Sequence, residues 1–532
     1  MNEFQIPLKI MTDSKKMKIT FKIAVAQIAA MSSLNVLAGQ VLADRPNVLL
    51  IVTDDQDFST IRAFGGKVLT PNIDKLVNSG IRLDRFYTTT AICTPSRYTI
   101  LTGRYPSQCM HEDFLIDHPT KDIQAYPDFR VNLEPDLPNL PKVMQTNGYV
   151  TGMVGKWHLG GEIPEMNLWK RMGLHNLWDG VDVTDPEINR QMAENYAKCV
   201  AEVKRQGFDY VDALYWSNWY GKNPEGVTVS MNNQEWISAK AIEFLETNRE
   251  RPFFLMMNST VDHKPNQNPA LKLDPRVTPA GLLDSPPQSG MLPRDTILPR
   301  LKAAGVPADT ARLTYLDDGV GVVLDKLDEL GLTKNTLVFY MADNGIHLKA
   351  TCYEGGCHVP AVIRWPSGLP QGAVNKKLIS NIDLVSTILD VCGLMPPVQM
   401  AVRGQSFLPL LRGEPIEWKD ELYLEIGNTR AVVTDRWKYI AFRVRDPWLL
   451  PPRDKWPKGH GGTPGLMKIH GMALQPAYWD ADQLYDLDKD PDEQVNLASN
   501  PEYASVLREM KDQLTGFCRQ FDRPFAEFTK EK

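Results

Sequence analysis

The first strong hydrophobic signal is an unbroken run rich in β-branched residues, Asn47–Thr53 (N-V-L-L-I-V-T), which stops at Asp54-Asp55. A strand buried on both faces reads this way, without polar alternation, and parallel sheets are built from such strands. Residues 336–342 (T-L-V-F-Y-M-A) repeat the pattern and stop at Asp343-Asn344. Elsewhere the period is helical. Leu313, Leu316, Val320, Val323, Leu327 and Leu330 predict a helix over 307–330, closed by Gly331. Residues 71–77 predict another, ended by Gly80, and 81–87 a further strand. Strands alternating with helices predict an α/β sheet with helices on both faces. Ligands of such sheets sit beyond the carboxyl ends of the strands, so the two acidic pairs are expected to converge.

The pattern shortens near Glu421. Residues 422–426, 430–433 and 437–442 read as short strands and 503–521 as a helix, which predicts a smaller C-terminal α+β unit. Proline- and glycine-rich stretches at 265–299 and 447–476 read as long loops. At the other end, Lys15, Lys16 and Lys18 precede an apolar, small-residue stretch over 19–43 that ends V-L-A. This is the form of a secretory signal peptide. Lys22, Gln27 and Asn35 interrupt it, which argues against a permanent span, so no stable membrane span is expected after cleavage. The expected organisation is a signal and extension over 1–43, a catalytic unit over 44–415 and the C-terminal unit over 416–532. The expected location is the periplasm or the exterior.

The 532 residues are 43% hydrophobic and 23% charged, with a net charge of -6. That balance is ordinary for a soluble protein, and no basic tail suggests nucleic acid. The seven cysteines are too few for a disulfide scaffold, although Cys352 and Cys357 are spaced for a local pair. Finger-type Cys/His couples are lacking, so structural zinc is not expected.

The chemistry concentrates in residues 93–104, C-T-P-S-R-Y-T-I-L-T-G-R. Pro95 suits a first helical turn and Gly103 a helix end, which puts Cys93 at a helix N-terminus. Free N–H groups and the helix dipole there favour an anion. They would also acidify a thiol, so a thiol enzyme is a competing reading.

The segment resembles the signature of the type I sulfatases, C-x-P-S-R followed by L-T-G-R, in which the cysteine is converted to formylglycine. The resemblance covers most of the chain after residue 43 and implies an alkaline-phosphatase-like large mixed sheet flanked by helices. Asp54 and Asp55, with Asp343 and Asn344, match the family's metal-binding segments, and Cys93 completes that set. Lys156 and His158 in G-K-W-H-L-G, and Lys349 in K-A-T-C-Y-E-G-G, match residues lining the sulfate pocket. His263 stands in D-H-K-P, where Asp262 replaces the family's usual proline. The stretch from Asn344 to Lys349 is shorter than in many relatives, which is expected to bring His347 toward the substrate. L-Y-D-L at 484–487 matches a C-terminal signature.

The resemblance implies hydrolysis of sulfate monoesters, with sulfated carbohydrates as substrates and a formylglycine-generating enzyme as the maturation partner. Oxygen ligands suit calcium, or less well magnesium, rather than zinc. The hydrated aldehyde attacks sulfur to give a covalent intermediate. The resemblance assigns protonation of the departing alcohol to His263, deprotonation of the second hydroxyl to His158 and orientation of the diol to Arg97. Two other readings stand beside this one. One is a phosphomonoester or phosphodiester hydrolase on the same fold. The other is a non-catalytic polyanion-binding protein. Arg443, Arg445, Arg453, Lys455, Lys458 and His460 suggest a subsite for further anionic groups, and Trp448, Trp456 and Trp479 suggest stacking on sugar rings.

Overall fold

A computed structural model describes residues 45–160, 167–177, 182–222, 228–263, 267–444 and 474–529. The expected signal peptide and the basic stretch 445–460, with Trp448 and Trp456, lie outside the described residues.

Eight strands form the main sheet: β1 (Asn47–Thr53), β2 (Ile81–Leu83), β3 (Val150–Lys156), β4 (Tyr210–Tyr215), β5 (Phe253–Asn258), β6 (Thr336–Ala342), β7 (Ala361–Arg364) and β8 (Ala373–Asn375). Their spatial order is β8-β2-β7-β6-β1-β5-β3-β4. Strands β6, β1, β5, β3 and β4 run parallel, whereas β7 is antiparallel to both β6 and β2. The sheet is therefore mixed, with the expected parallel strands at its centre.

All seven residues of β1 are buried, because alternate side chains enter two different cores. Leu49 and Ile51 face helices α4 (Gln234–Asn248) and α5 (Ala311–Glu329), meeting Phe244, Leu316 and Val320. The earlier helices are α1 (Pro71–Ser79), α2 (Cys93–Thr102) and α3 (Pro186–Lys204). Val48, Leu50 and Val52 share the opposite core with Tyr98 and Leu101 of α2 and with Leu384 and Ile388 of α6 (Leu384–Val391). Two hydrophobic faces explain why the strand shows no polar alternation.

The C-terminal sheet is antiparallel, in the order β9 (Glu421–Ile426), β10 (Thr429–Thr434), β11 (Trp437–Phe442), β12 (Asp482–Asp486). One face carries α7 (Ala504–Cys518), whose Met510 and Leu514 pack on Val432 and Tyr439. The other face, through Leu424, Val433 and Tyr485, packs on Ala91, Ile92, Leu348 and Tyr353, beside the site described below. Strand β12 was not expected from its sequence. Its D-Q-L-Y-D has only two apolar residues, and pairing along β11 supplies the missing drive. The strand expected over 81–87 splits at Asp84-Arg85 into β2 and a short Phe86–Tyr87 strand that pairs elsewhere with Ile379–Ser380.

Candidate active site

The carboxyl ends of β1, β5 and β6 are stitched together by backbone bonds. Asp343 N–H donates to Thr53 O at 2.9 Å, and Asp54 N–H to Val261 O at 3.1 Å. The two acidic pairs thus converge, as expected. Arg97, one turn into α2, donates from Nε (3.0 Å) and Nη2 (2.8 Å) to Asp343 Oδ2, and from Nη1 to Lys156 O at 3.0 Å. Lys156 Nζ lies 2.7 Å from Asp54 Oδ2, with both groups fully buried. Lys349 Nζ lies 2.7 Å from Asp55 Oδ1 and 3.4 Å from Cys93 Sγ. His263 Nε2 lies 3.6 Å from Asp55 Oδ2. His263 and Lys349 are each 19% exposed, so the cluster meets solvent on their side.

Cys93 opens α2 as expected, and the helix closes on Gly103 in the left-handed region at φ 65°. Cys93 Sγ lies 3.4 Å from Asp54 Oδ1. Lys156 is aimed by a bulge at the end of β3, where Gly155 adopts φ 93° and a Cβ would fall 1.8 Å from Asn258 O. Only glycine fits there. Asp55, His158 and Ala350 also take positive φ, at 54°, 57° and 62°. Such backbone costs about 1–2 kcal/mol per residue, and strain of this kind recurs at functional sites.

Electrostatics sort these groups. Burial alone would raise Asp54, but Lys156, His263, Lys349 and Arg97 hold it far below the usual carboxylate range. Burial also opposes ionisation of Asp55, and Lys349 and then His263 keep it low. Burial lifts Asp343 to about 6 despite Arg97, with Asp54 pushing the same way. Burial and then Asp343 push the Cys93 thiol well above its ordinary value. The acidified thiolate expected at the helix N-terminus is therefore corrected, because burial and neighbouring carboxylates outweigh the dipole. Burial and Lys349 hold His263 below its ordinary value, against Asp55 and Asp54.

The residues present fit a hard cation. Ligand atoms of Asp54, Asp55, Cys93 and Asp343 all lie within 4.8 Å of one another. Asn344 donates from Nδ2 to Asp55 Oδ1 at 2.7 Å, while its buried Oδ1 has no hydrogen-bond partner. A buried carbonyl oxygen with nothing to accept from is costly, and beside three carboxylates it is suited to a metal.

His158 is buried beside Lys156, its backbone N–H donating to Trp216 O at 2.7 Å. His347 does not join the cluster. The short turn puts Leu348 into the hydrophobic core and leaves His347 exposed, which corrects the expectation for it. Asp262 is matched by Arg312 of α5, whose Nη2 lies 3.1 Å from Oδ2, so its replacement of proline buries no lone charge. Arg443 pairs with Asp482 and Glu527 rather than standing ready for anions, and Trp479 packs edge-on against Phe442. Cys352 and Cys357 are buried free thiols, so the local pair is not formed.

One site residue escaped the sequence reading. With its amide oriented to satisfy all three neighbours, Asn218 donates to Asp54 Oδ2 at 3.0 Å. It also accepts from Lys156 Nζ at 2.8 Å and His263 Nε2 at 3.1 Å. It follows β4 just as the other site residues follow their strands. Position beyond a strand end was the available signal.

Fold and site together place a hard-cation ligand set and three basic side chains around Cys93, at the carboxyl ends of the strands of a mixed α/β sheet. A family model described as Sulfatase matches residues 46–394. The chain belongs to the sulfatase family and is a sulfuric ester hydrolase. A model described as N-sulphoglucosamine sulphohydrolase, C-terminal, matches residues 342–460. The chain is 27% identical to the dog (Canis lupus familiaris) N-acetylgalactosamine-6-sulfatase over 87% of its own length and 84% of the relative's. It is 24% identical to a Bacteroides thetaiotaomicron N-acetylglucosamine-6-O-sulfatase over 90% and 87%. A protein solved with its substrate D-glucosamine-2-N,6-O-disulfate shares the fold at TM-score 0.56 and 19% identity, covering 92% of this chain and 100% of that one. One solved with k-i-k-neocarrahexaose does so at TM-score 0.56 and 19% identity, covering 92% and 95%.

Proposed function

We propose that the protein hydrolyses sulfate monoesters of carbohydrates, with formylglycine at position 93 and calcium as the metal. The observation that carries this reading is the convergence of Cys93, at the head of an intact C-x-P-S-R helix, with the Asp54/Asp55/Asp343 cluster. In the structure the Cys93 thiol occupies the place of the modified side chain. When present, the formylglycine hydrate supplies the nucleophile, and the metal neutralises charge on the sulfate. Asp54, Asp55, Asp343, Asn344 and the modified residue 93 would hold the metal.

The chain's own groups do the rest. Three carboxylates face Arg97, Lys156 and Lys349, so a site loaded with a divalent cation carries excess positive charge, which suits an anionic ester. Lys156 and Lys349 bind sulfate oxygens as point charges. Arg97, fixed on Asp343, orients the hydroxyls of residue 93. His263 gives a proton to the departing alcohol. Its lowered pKa makes the protonated form a stronger acid while reducing the protonated fraction at neutral pH. Asn218 links His263 to Lys156, which fixes the acid relative to the sulfate pocket. His158 takes the proton that releases sulfate. Export by an N-terminal signal and maturation by a formylglycine-generating enzyme complete the reading. Among the described residues no helix is long and apolar enough to cross a membrane.

Free sulfate released from a panel of sulfated glycans and one aryl sulfate tests this, using protein whose residue 93 is checked by mass spectrometry. Cys93→Ala is expected to lose on the order of 10⁴-fold or more in turnover, the scale seen when a covalent nucleophile is removed. Turnover that survives in Cys93→Ala, or faster turnover of the matched aryl phosphate, would sink the reading.

A further inference from the structure

A second buried ion cluster lies between the C-terminal sheet and the segment that carries Lys349. Lys438 of β11 is fully buried, its ammonium 2.6 Å from Glu354 Oε1 and 3.0 Å from Glu493 Oε1. Glu354 opens the short helix Glu354–Cys357. Its backbone N–H donates to Glu493 Oε2 at 2.6 Å, and its Oε2 accepts from the Tyr87 hydroxyl at 2.9 Å. His358 Nδ1 lies 2.9 Å from the same Oε2. Burying a lysine between carboxylates is no general route to stability, since apolar packing does as well. The location of the cluster supplies another reason for it.

Glu354 lies near the end of turn 344–356, and Lys349 sits near its middle. The two limbs are joined by Gly345 N–H to Gly356 O at 2.9 Å and Leu348 N–H to Gly355 O at 3.2 Å. A Cβ on Gly345 would fall 2.3 Å from Gly355 O, so the limbs approach more closely than any side chain there would permit. From the tip of this turn Lys349 reaches Asp55 and Cys93. A shift at Glu354 therefore passes through rigid backbone to the lysine.

We propose that Lys438 is a positioning residue for the reaction: clamped between Glu354 and Glu493, it fixes turn 344–356 from the side of the C-terminal sheet and so sets Lys349 against the sulfate. This rests on the reading of Lys349 as a sulfate ligand. The C-terminal sheet is then part of the catalytic apparatus, acting through a charge that never touches substrate.

A double-mutant cycle tests it. Aryl sulfate turnover and inhibition by inorganic sulfate are measured on formylglycine-containing Lys438→Met, Lys438→Arg, Lys349→Ala and the Lys349→Ala/Lys438→Met double variant. Lys438→Met is expected to raise KM and the sulfate inhibition constant on the order of tenfold, with a smaller change in kcat, and Lys438→Arg to restore most of it. The double variant is expected to be no worse than Lys349→Ala, because residues acting in series are not additive. Full additivity, or an unchanged inhibition constant in Lys438→Met, overturns the proposal. A neutral Lys349→Ala overturns the sulfate-ligand reading and the proposal with it. Should Lys438→Met not fold, Glu493→Ala removes the acceptor of the Glu354 N–H while keeping the Lys438–Glu354 pair. The same cycle with that variant carries the same expectations.

Discussion

Turn 344–356 touches two clusters of buried charge that differ in kind. At its tip, Lys349 joins Asp54, Asp55, Asp343, Arg97 and Lys156. At its base, Glu354 joins Lys438 and Glu493. The first cluster is wide and keeps an unsatisfied carbonyl at Asn344, and it meets solvent at His263 and Lys349. The second is smaller: Lys438 and Glu493 are 0% and 1% exposed, Glu354 is 17% exposed, and Tyr87 and His358 both contact Glu354. Buried charge alone therefore does not mark a catalytic centre. The distinguishing feature is the ligand set: the first cluster gathers ligand atoms of Asp54, Asp55, Cys93 and Asp343 within 4.8 Å of one another, whereas the second sets two carboxylates around one lysine.

The largest effect that separates the clusters is expected from Asp343→Asn. It removes the carboxylate partner of Arg97, which is 1% exposed. Losing one partner of a buried pair costs about 3–5 kcal/mol, and metal affinity should fall as well. Thermal unfolding with and without a calcium chelator reads both. The wild type should lose stability on chelation, because a ligand that binds only the folded state stabilises it, and the variant should lose little more. Equal chelator sensitivity in the two proteins would remove Asp343 from the ligand set.

His263→Ala comes next. Loss of a general acid lowers kcat by about 10²–10⁴-fold, and the loss should shrink for aryl sulfates whose phenol leaves without help. If the loss is the same for alkyl and activated aryl esters, His263 has another role.

The smallest effect concerns the Lys438 cluster. Burial raises Glu493 to about 7 from an ordinary 4.5, despite Lys438. Its proton is bound more tightly in the folded state, so this contribution to stability is complete below the ordinary value of 4.5 and is lost as pH rises through about 7. Glu354 is shifted the opposite way, since Lys438 and His358 overcome its burial, and its contribution is lost only in acid. Glu493→Gln should flatten the decline in Tm between pH 5 and 8 by on the order of 2 °C. An unchanged Tm profile would show that Glu493 does not titrate there.

Much of this was legible in the chain. The runs 47–53 and 336–342 lack polar alternation because both faces of each strand are covered, and their acidic ends follow from the rule for strand termini in α/β sheets. The order of Cys93, Lys156, His263, Asp343 and Lys349 identified the family, and local chemistry placed Cys93 at a helix start and Gly103 at its end. Tertiary structure alone decided the remainder. Asn218 enters the site because β4 lies beside β3, and Arg312 neutralises Asp262 because α5 passes beside the end of β5. Position beyond a strand end is the one local sign at Asn218, and it names no partner; each of these residues is ordinary until the fold brings the other to it. The Cys93 thiol shows the same limit most plainly. Its position at a helix N-terminus is local and was readable. The direction of its pKa is set by burial and by Asp343, which is distant in sequence, and no short motif encodes either.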